Sequence, residues 1–332
     1  MSKPLLQVEA LRVEFNTRDG VARVIDDLDI SLNSGEILGI VGESGCGKSM
    51  TALSIMGLVP TPPGRIASGT IRLAGENLVQ ASEQRLRQVR GNEISMIFQE
   101  PMTSLNPVFS IGDQIAETVM LHENRRKQDA WDWAVEMLEA VGIPDAEQRA
   151  YEYPHQMSGG MRQRVMIAMA LACQPKVLIA DEPTTALDVT VQAQIFDLLK
   201  ELRERTGAAI ILITHDMGAI AEMTERVVVM YAGRKVEDGP VDEILAAPRH
   251  PYTLGLIACV PHLSLEIASE RPLLVEIPGI VPSLTQIGKG CPFAPRCNQV
   301  MDKCRQDMPP RREVSTQHSV ACWRVEQEGV VA

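Results

Sequence analysis

Gly42-Glu43-Ser44-Gly45-Cys46-Gly47-Lys48-Ser49 follows the apolar run Ile37-Leu38-Gly39-Ile40-Val41 and precedes a helix-compatible segment. Glycines at this spacing let the backbone curl so that successive N–H groups point at phosphate oxygens. The following helix turns its positive N-terminal end to the same anion. Lys48 is placed for the outer phosphates, and the Ser49 hydroxyl for a Mg²⁺ ion that the phosphates also hold. The pattern predicts a nucleoside triphosphate site over Gly42 to Ser49, with Met50 next in the cradle.

A second apolar run, Val177-Leu178-Ile179-Ala180, reads as a buried strand and ends in Asp181-Glu182. Ligands of open α/β sheets bind at such carboxyl ends. Asp181 suits the Mg²⁺ shell, and Glu182 suits a general base that orients and polarises an attacking water. Met157-Ser158-Gly159-Gly160-Met161-Arg162-Gln163-Arg164 then opens a helix rich in Met and Ala, with Ser158 as its N-cap. A hydroxyl and bare N–H groups at a helix N-terminus form a second anion site. One nucleotide needs one cradle, so this second site is expected to serve a nucleotide held by another subunit, with ATP sandwiched between two chains.

The elements around these residues read as α/β. Residues 5 to 80 show short apolar strands with turn signals at Asp19-Gly20 and Ser34-Gly35, the phosphate loop and one helix, and Gly57 to Gly64 reads as a loop. From Gln99 to about Gln156 the pattern is helical, with Trp131, Val135 and Leu138 on one face and Gly142-Ile143-Pro144 ending the segment. Trp131 and Trp133 read as packing residues. The sheet pattern resumes at Val177 and continues through Val227 to Met230. After Gly239 periodicity fades and proline becomes frequent. His250, in a Pro-flanked turn, reads as structural.

With 332 residues, 45% of them hydrophobic, the chain can bury a large core in more than one lobe. A net charge of −11 argues against a nucleic-acid clamp. No run approaches the ~20 apolar residues of a membrane span, and the N-terminus lacks a signal-peptide pattern. The expectation is a cytosolic chain that meets a membrane through embedded partners.

Seven cysteines divide into two groups. Cys46, Cys173 and Cys259 are scattered and read as small buried residues, Cys46 being a filler in the phosphate loop. Cys291, Cys297, Cys304 and Cys322 cluster in a Pro-rich tail short of apolar residues, where a staple is needed. A metal site suits a cytosolic chain better than disulfides. Four thiolates fit tetrahedral zinc or an iron–sulfur cluster. Gaps of five, six and seventeen residues lack close Cys-x2-Cys pairs and favour a cubane cluster, with zinc and unmetallated thiols as the alternatives.

In this order, the motifs resemble those of the ATP-binding cassette (ABC) ATPases over about the first 250 residues. Gly42 to Ser49 are similar to the family's Walker A motif, Gln99 to its Q-loop, Ser158 to Gln163 to its signature, and Val177 to Glu182 to its Walker B. Ala186-Leu187-Asp188 resembles the D-loop, and His215 the switch histidine after the strand Ile210-Ile211-Leu212-Ile213. The resemblance implies that Gln99 touches Mg²⁺ and senses a membrane subunit, that His215 contacts the γ-phosphate, and that an aromatic near the start stacks on adenine. Phe15 is the candidate for that stack, with packing in a half-buried strand as its other reading.

Met161 departs from the usual Gln. It resembles, with Met96 to Pro107, the subgroup that energises oligopeptide and dipeptide import. His250-Pro251-Tyr252-Thr253, Ile277 to Pro282 and Gly290 to Cys297 are similar to that subgroup's C-terminal extension, which implies a [4Fe–4S] site.

The implied fold is a P-loop ABC-type nucleotide-binding domain over residues 1–245. It has a RecA-like core, an antiparallel β-subdomain and a helical subdomain at about 100–160, followed by a Pro/Cys-rich extension at 246–332. The implied partners are two transmembrane permease subunits, an extracytoplasmic substrate-binding protein and a second, related ATPase subunit in a heterodimer. Grooves near Gln99 and Glu100 to Pro107 would receive the permeases' coupling helices. No nucleic acid is expected, and the chain would sit peripherally on the cytoplasmic side of the cell inner membrane. The competing reading is a soluble, non-transport ABC ATPase acting on ribosomes or DNA.

Overall fold

The computed structural model describes residues 3–99, 104–185, 187–259 and 276–326. Glu100 to Thr103 and Ala186, within the Q-loop and D-loop phrases, lie outside them. The chain forms two compact units, one of Met1–Leu6, Ser31–Ile37 and Arg72–Ile213, the other of Gln7–Ile30, Leu38–Ile71 and Thr214–Ala332. Strands are numbered along the chain.

In the first unit β6 (Ile94–Ile97), β7 (Val177–Asp181) and β8 (Ala209–Ile213) run parallel in the order β8-β7-β6. Every residue of these strands is buried. Covered on both faces, such strands read as continuous apolar runs rather than alternating ones. Helix Val189–Thr206 makes the crossover from β7 to β8. Ile195, Phe196, Leu198, Leu199 and Leu202 form its buried stripe, and Gly207 ends it at a φ of +68°. Helix Gly159–Leu171 packs on β6 and on helices Ile111–Glu123 and Lys127–Ala140.

The helical pattern at 99–156 resolves into short helices, and its buried face is rotated from the expected one. Ala130, Ala134, Met137 and Leu138 are buried, whereas Trp131 and Val135 are only half-buried. Alanines carry little hydrophobic signal in a sequence, yet they let helices approach closely. Trp131 tilts against Tyr151, with ring centroids 4.7 Å apart, and Trp133 donates its Nε1–H to the Ala172 carbonyl at 2.9 Å. Both tryptophans therefore pack, as read.

In the second unit β3 (Ile37–Val41) runs parallel to β9 (Arg226–Tyr231), with Ile40 opposite Val228. β10 (Arg234–Pro240) folds back on β9. β12 (Ser319–Val320) and β11 (Arg312–Glu313) continue antiparallel from β10. β1 (Leu6–Thr17) and β2 (Gly20–Leu32) form a long hairpin beside β4 (Gly64–Leu73). The region after Gly239 is more regular than its sequence suggests. Helices Val241–Ala246 and Pro251–Ala258 and the two-residue strands β11 and β12 are too short to show a period. The Pro/Cys-rich segment shares a core with β9: Phe293 stands edge-on to Tyr231 at 5.2 Å and tilted to Tyr252 at 5.4 Å. Burying such a ring stabilises by about 2 kcal/mol.

Candidate nucleotide-binding site

The phosphate loop belongs to the second unit, where β3 delivers the chain into it. Gly42 has no room for a side chain: a Cβ there would lie 2.2 Å from the Met230 carbonyl and 2.7 Å from Cys46 Sγ. Gly47, at a φ of +103°, would bring a Cβ to 2.8 Å from the Val24 carbonyl. The Cys46 thiol, 1% exposed, fills the space beneath the loop, and burial raises its pKa. The Gly233 N–H donates to the Cys46 carbonyl at 2.9 Å, and Thr51 Oγ1 donates to the Gly47 carbonyl at the same distance. The loop is thus pinned at several backbone points.

Helix Lys48–Ile55 starts directly from Gly47, which offers no side-chain cap. The first-turn N–H groups and the helix dipole then face the loop's concave side, a ready anion cradle. Lys48, only 5% exposed, donates Nζ to the Gly42 carbonyl at 2.7 Å and the Glu43 carbonyl at 3.3 Å. Ser49 and Met50 are half-buried in the first turn, and Ser44 and Gly45 are exposed at the tip. Glu43 is held from outside the loop. Its N–H donates to Tyr252 Oη at 2.7 Å, and its carboxylate accepts both Arg296 amino groups at 2.5 and 2.9 Å.

Two other residues named from sequence lie in this unit. His215 is exposed; beside it Asp216 caps helix Met217–Met223 by accepting from Gly218 and Ala219 N–H. Phe15 is half-buried with its ring against Gly64, where a Cβ would meet Cζ at 2.7 Å.

The first unit gathers the carboxylates. Asp181, 3% exposed, closes β7. Glu182 follows at a φ of +47°, rare for a non-glycine residue and costing on the order of 1 kcal/mol, and its N–H donates to the Ile213 carbonyl at 2.8 Å. Its Oε2 accepts Gln99 Nε2 at 2.9 Å and Thr185 Oγ1 at 3.0 Å. Gln99 thus reaches a carboxylate 83 residues away in sequence. Ser158 caps helix Gly159–Leu171 by accepting the Met161 N–H at 3.3 Å. Ser158 and Gly159 are exposed, and nothing lies within 4 Å of a Cβ placed on Gly159. This leaves an open helix N-terminus. Asp188 caps helix Val189–Thr206, accepting the Val191 N–H at 3.0 Å.

Residues 25–185 match the ABC transporter family, and residues 236–304 match the C-terminal region of oligopeptide/dipeptide transporters. The oligopeptide transport ATP-binding protein OppD of Salmonella typhimurium is 50% identical over 98% of this chain and 95% of its own. AppD of Bacillus subtilis, also an oligopeptide transport ATP-binding protein, is 48% identical over 98% of both chains. The chain belongs to the ABC transporter ATPases. A dimeric ATP-binding cassette in a post-hydrolysis state, bound to ADP and phosphate, shares the fold with a TM-score of 0.65 at 24% identity, covering 71% of this chain and 98% of that one. The α/β fold of this ABC ATPase is accordingly the P-loop nucleotide-binding fold.

In the ABC ATPase's C-terminal segment, Cys291, Cys297, Cys304 and Cys322 line one cavity of about 20 Å³ together with Phe293 and Trp323. Burial pushes the Cys291 thiol up to about 11 and raises Cys297 and Cys322. Backbone N–H groups of Phe293, Gln299 and Arg324 face the sulfurs of Cys291, Cys297 and Cys322, and the one from Gln299 lies 3.4 Å from Cys297 Sγ. Among the described residues no group of three or more His, Cys, Asp or Glu is arranged to hold a metal ion. The expected metal site is corrected to that extent: the four cysteines line one cavity without forming such a group among the described residues.

Sequence reasoning missed Thr185, Tyr252 and Arg296 as neighbours of the site. Thr185 stands three residues beyond Glu182, and its part depends on how the turn between them folds back. Tyr252 and Arg296 lie 209 and 253 residues from Glu43, beyond any local pattern.

Proposed function

We propose that this ABC ATPase is the ATP-hydrolysing subunit of an importer that takes up dipeptides or oligopeptides, working peripherally at the cytoplasmic side of the cell inner membrane. The observation that carries the chemistry is Lys48, buried and aimed along loop carbonyls at a helix N-terminus that no side chain caps. The relatives named as oligopeptide transport ATP-binding proteins, matching nearly end to end, support the peptide substrate.

In this reading residues 1–245 are the ATPase domain, with the helical subdomain at about 100–160, and 246–332 the extension. Gly42, Glu43, Ser44, Gly45, Cys46, Gly47, Lys48, Ser49 and Met50 cradle the phosphates of ATP. Ser49, Gln99 and Asp181 hold the Mg²⁺ shell, and Phe15 stacks on adenine. Glu182 takes a proton from the attacking water, held ready by Gln99 and Thr185. His215 contacts the γ-phosphate. Ser158, Gly159, Gly160 and Asp188 serve the nucleotide of a second, related ATPase subunit, which suits an exposed helix N-terminus.

Two transmembrane permease subunits and an extracytoplasmic binding protein complete the assembly. No described helix is long and apolar enough to cross a membrane. Val108, 72% exposed and next to Asn106-Pro107, adds an exposed apolar side chain where permease helices would dock. The net charge of −11 disfavours the nucleic-acid alternative.

Cys291, Cys297, Cys304 and Cys322 would hold a [4Fe–4S] cluster. The reading is supported by four cysteines lining one cavity, with backbone N–H donors facing three of the sulfurs. Its chemistry would be that of a structural staple. Anaerobic purification of tagged protein from native membranes, with mass spectrometry of companion chains and iron, sulfide and zinc analysis, checks the assembly. Two multi-span chains, a second cassette and about four irons per chain are expected. Recovery with ribosomes or DNA would contradict transport, and zinc or no metal would contradict the cluster.

A further inference from the structure

Arg296 is a closely held cation beside the phosphate loop, and it comes from the far end of the chain. Its side chain is 4% exposed, and both amino groups grip the Glu43 carboxylate at 2.5 and 2.9 Å. The rest of the guanidinium is fixed as well: Nε donates to the Pro278 carbonyl at 2.9 Å, and Nη2 donates to the Ile277 carbonyl at 3.1 Å. The Tyr231 and Phe293 rings lie 5.8 and 5.9 Å from Arg296 Cζ. The Glu43 bond raises the Arg296 pKa further. Every donor direction of this fork is used, and all of them lock it in one orientation.

Glu43 is also held through its backbone, its N–H donating to Tyr252 Oη at 2.7 Å. Tyr252 belongs to the C-terminal segment too, at the start of helix Pro251–Ala258. Burial raises the Tyr252 pKa, so its hydroxyl stays protonated while accepting that bond. The Glu43 and Gly42 carbonyls in turn hold Lys48 Nζ. A continuous line of contacts therefore runs from the residue preceding Cys297 to the lysine of the phosphate loop.

We infer that Arg296 is a positioning residue of the nucleotide site: by clamping Glu43 it sets the conformation of the phosphate loop, so that the Pro/Cys-rich C-terminal segment tunes the affinity for Mg-ATP. Arg296 touches no substrate in this scheme and acts through Glu43. A preorganised loop binds phosphate without ordering itself first, so releasing the clamp weakens binding rather than chemistry. This rests on the reading of Gly42 to Ser49 as the nucleotide site.

The test is a double-mutant cycle on the full-length protein with Arg296→Gln, Glu43→Gln and both together. It reads the Mg-ATP dissociation constant, KM and kcat for hydrolysis, and thermal unfolding without nucleotide. Arg296→Gln is expected to weaken Mg-ATP binding and raise KM by about tenfold, equivalent to about 1.4 kcal/mol, with kcat held, and Glu43→Gln to weaken Mg-ATP binding by a similar factor. The double variant should be no worse than the worse single one. Arg296→Lys, which keeps charge without the fork, should fall between.

Should Arg296→Gln fail to fold, Glu43→Gln removes the same contact from the loop side and must give the same loss. The inference is overturned if wild-type protein binds Mg-ATP and both variants bind it equally well while only unfolding temperature falls. It is also overturned if the two losses add. Failure of the wild-type protein itself to bind Mg-ATP would instead overturn the nucleotide reading and this inference with it.

Discussion

Glu182 accepts an amide from Gln99 and a hydroxyl from Thr185 on one oxygen, at a backbone angle that residues other than glycine rarely adopt. Two donors on Oε2 steady the carboxylate, and a fixed orientation is what a general base requires. Glu182→Gln retains shape and removes the basic oxygen. It should bind Mg-ATP as the parent does, while hydrolysis falls by roughly 10²- to 10⁴-fold, the usual contribution of such a base. Equilibrium binding and steady-state phosphate release check this, and a Gln variant that still hydrolyses would remove Glu182 from the role. Asp181 and Glu182 were legible as a pair of carboxylates after an apolar run. Thr185 was not, because its part depends on how the turn after β7 folds back.

At the scale of elements, helix Pro251–Ala258 depends on one buried imidazole. His250 is its N-cap, Nδ1 accepting the Tyr252 N–H at 3.1 Å, and this sets the neutral tautomer. Burial lowers the His250 pKa to about 4 from 6.5, against the opposing pull of Glu237. The unfolded chain takes up a proton below about 6.5 that the folded chain refuses until about 4. Stability is therefore lost as pH falls through that window, by up to about 3 kcal/mol. Glu237, 0% exposed and held below the usual carboxylate range despite its burial by His318, Thr253 and backbone N–H groups, adds acid sensitivity below its ordinary pKa of 4.5.

His250→Asn keeps a capping acceptor without a titrating group. Denaturant unfolding at pH 7 and pH 5 should show a flatter pH dependence for the variant. An unchanged slope would place the acid sensitivity elsewhere. The His-Pro-Tyr phrase revealed a structural histidine, but not that the helix it caps carries a tyrosine to the phosphate loop. Elsewhere the elements were readable in proportion to how strongly burial marks them. β7 and β8, covered on both faces, stood out as apolar runs. The face of helix Lys127–Ala140 was misjudged because Trp131 and Val135 outweigh Ala130 and Ala134 in any hydrophobic pattern, although the alanines make the close contact.

For the whole molecule, the Pro/Cys-rich segment is part of the second unit, placing Phe293 in a shared core and β12 against β10. The tail's shortage of apolar residues was visible in sequence. That it would share a core with β9 and reach Glu43 was not, since both depend on contacts across most of the chain's length. In the proposed importer this ATPase passes its work to membrane-embedded permeases, as the match to oligopeptide/dipeptide transporters supports. Coupling in that reading means that events at those partners change the rate of hydrolysis.

The measurement that tests this most directly is ATP hydrolysis by the complete transporter in proteoliposomes, with and without peptide-loaded binding protein on the outer face. Hydrolysis should rise severalfold on adding the loaded binding protein and be accompanied by peptide entry. Hydrolysis indifferent to peptide and binding protein, in vesicles whose permeases are correctly inserted, would contradict peptide import as the work of this ATPase.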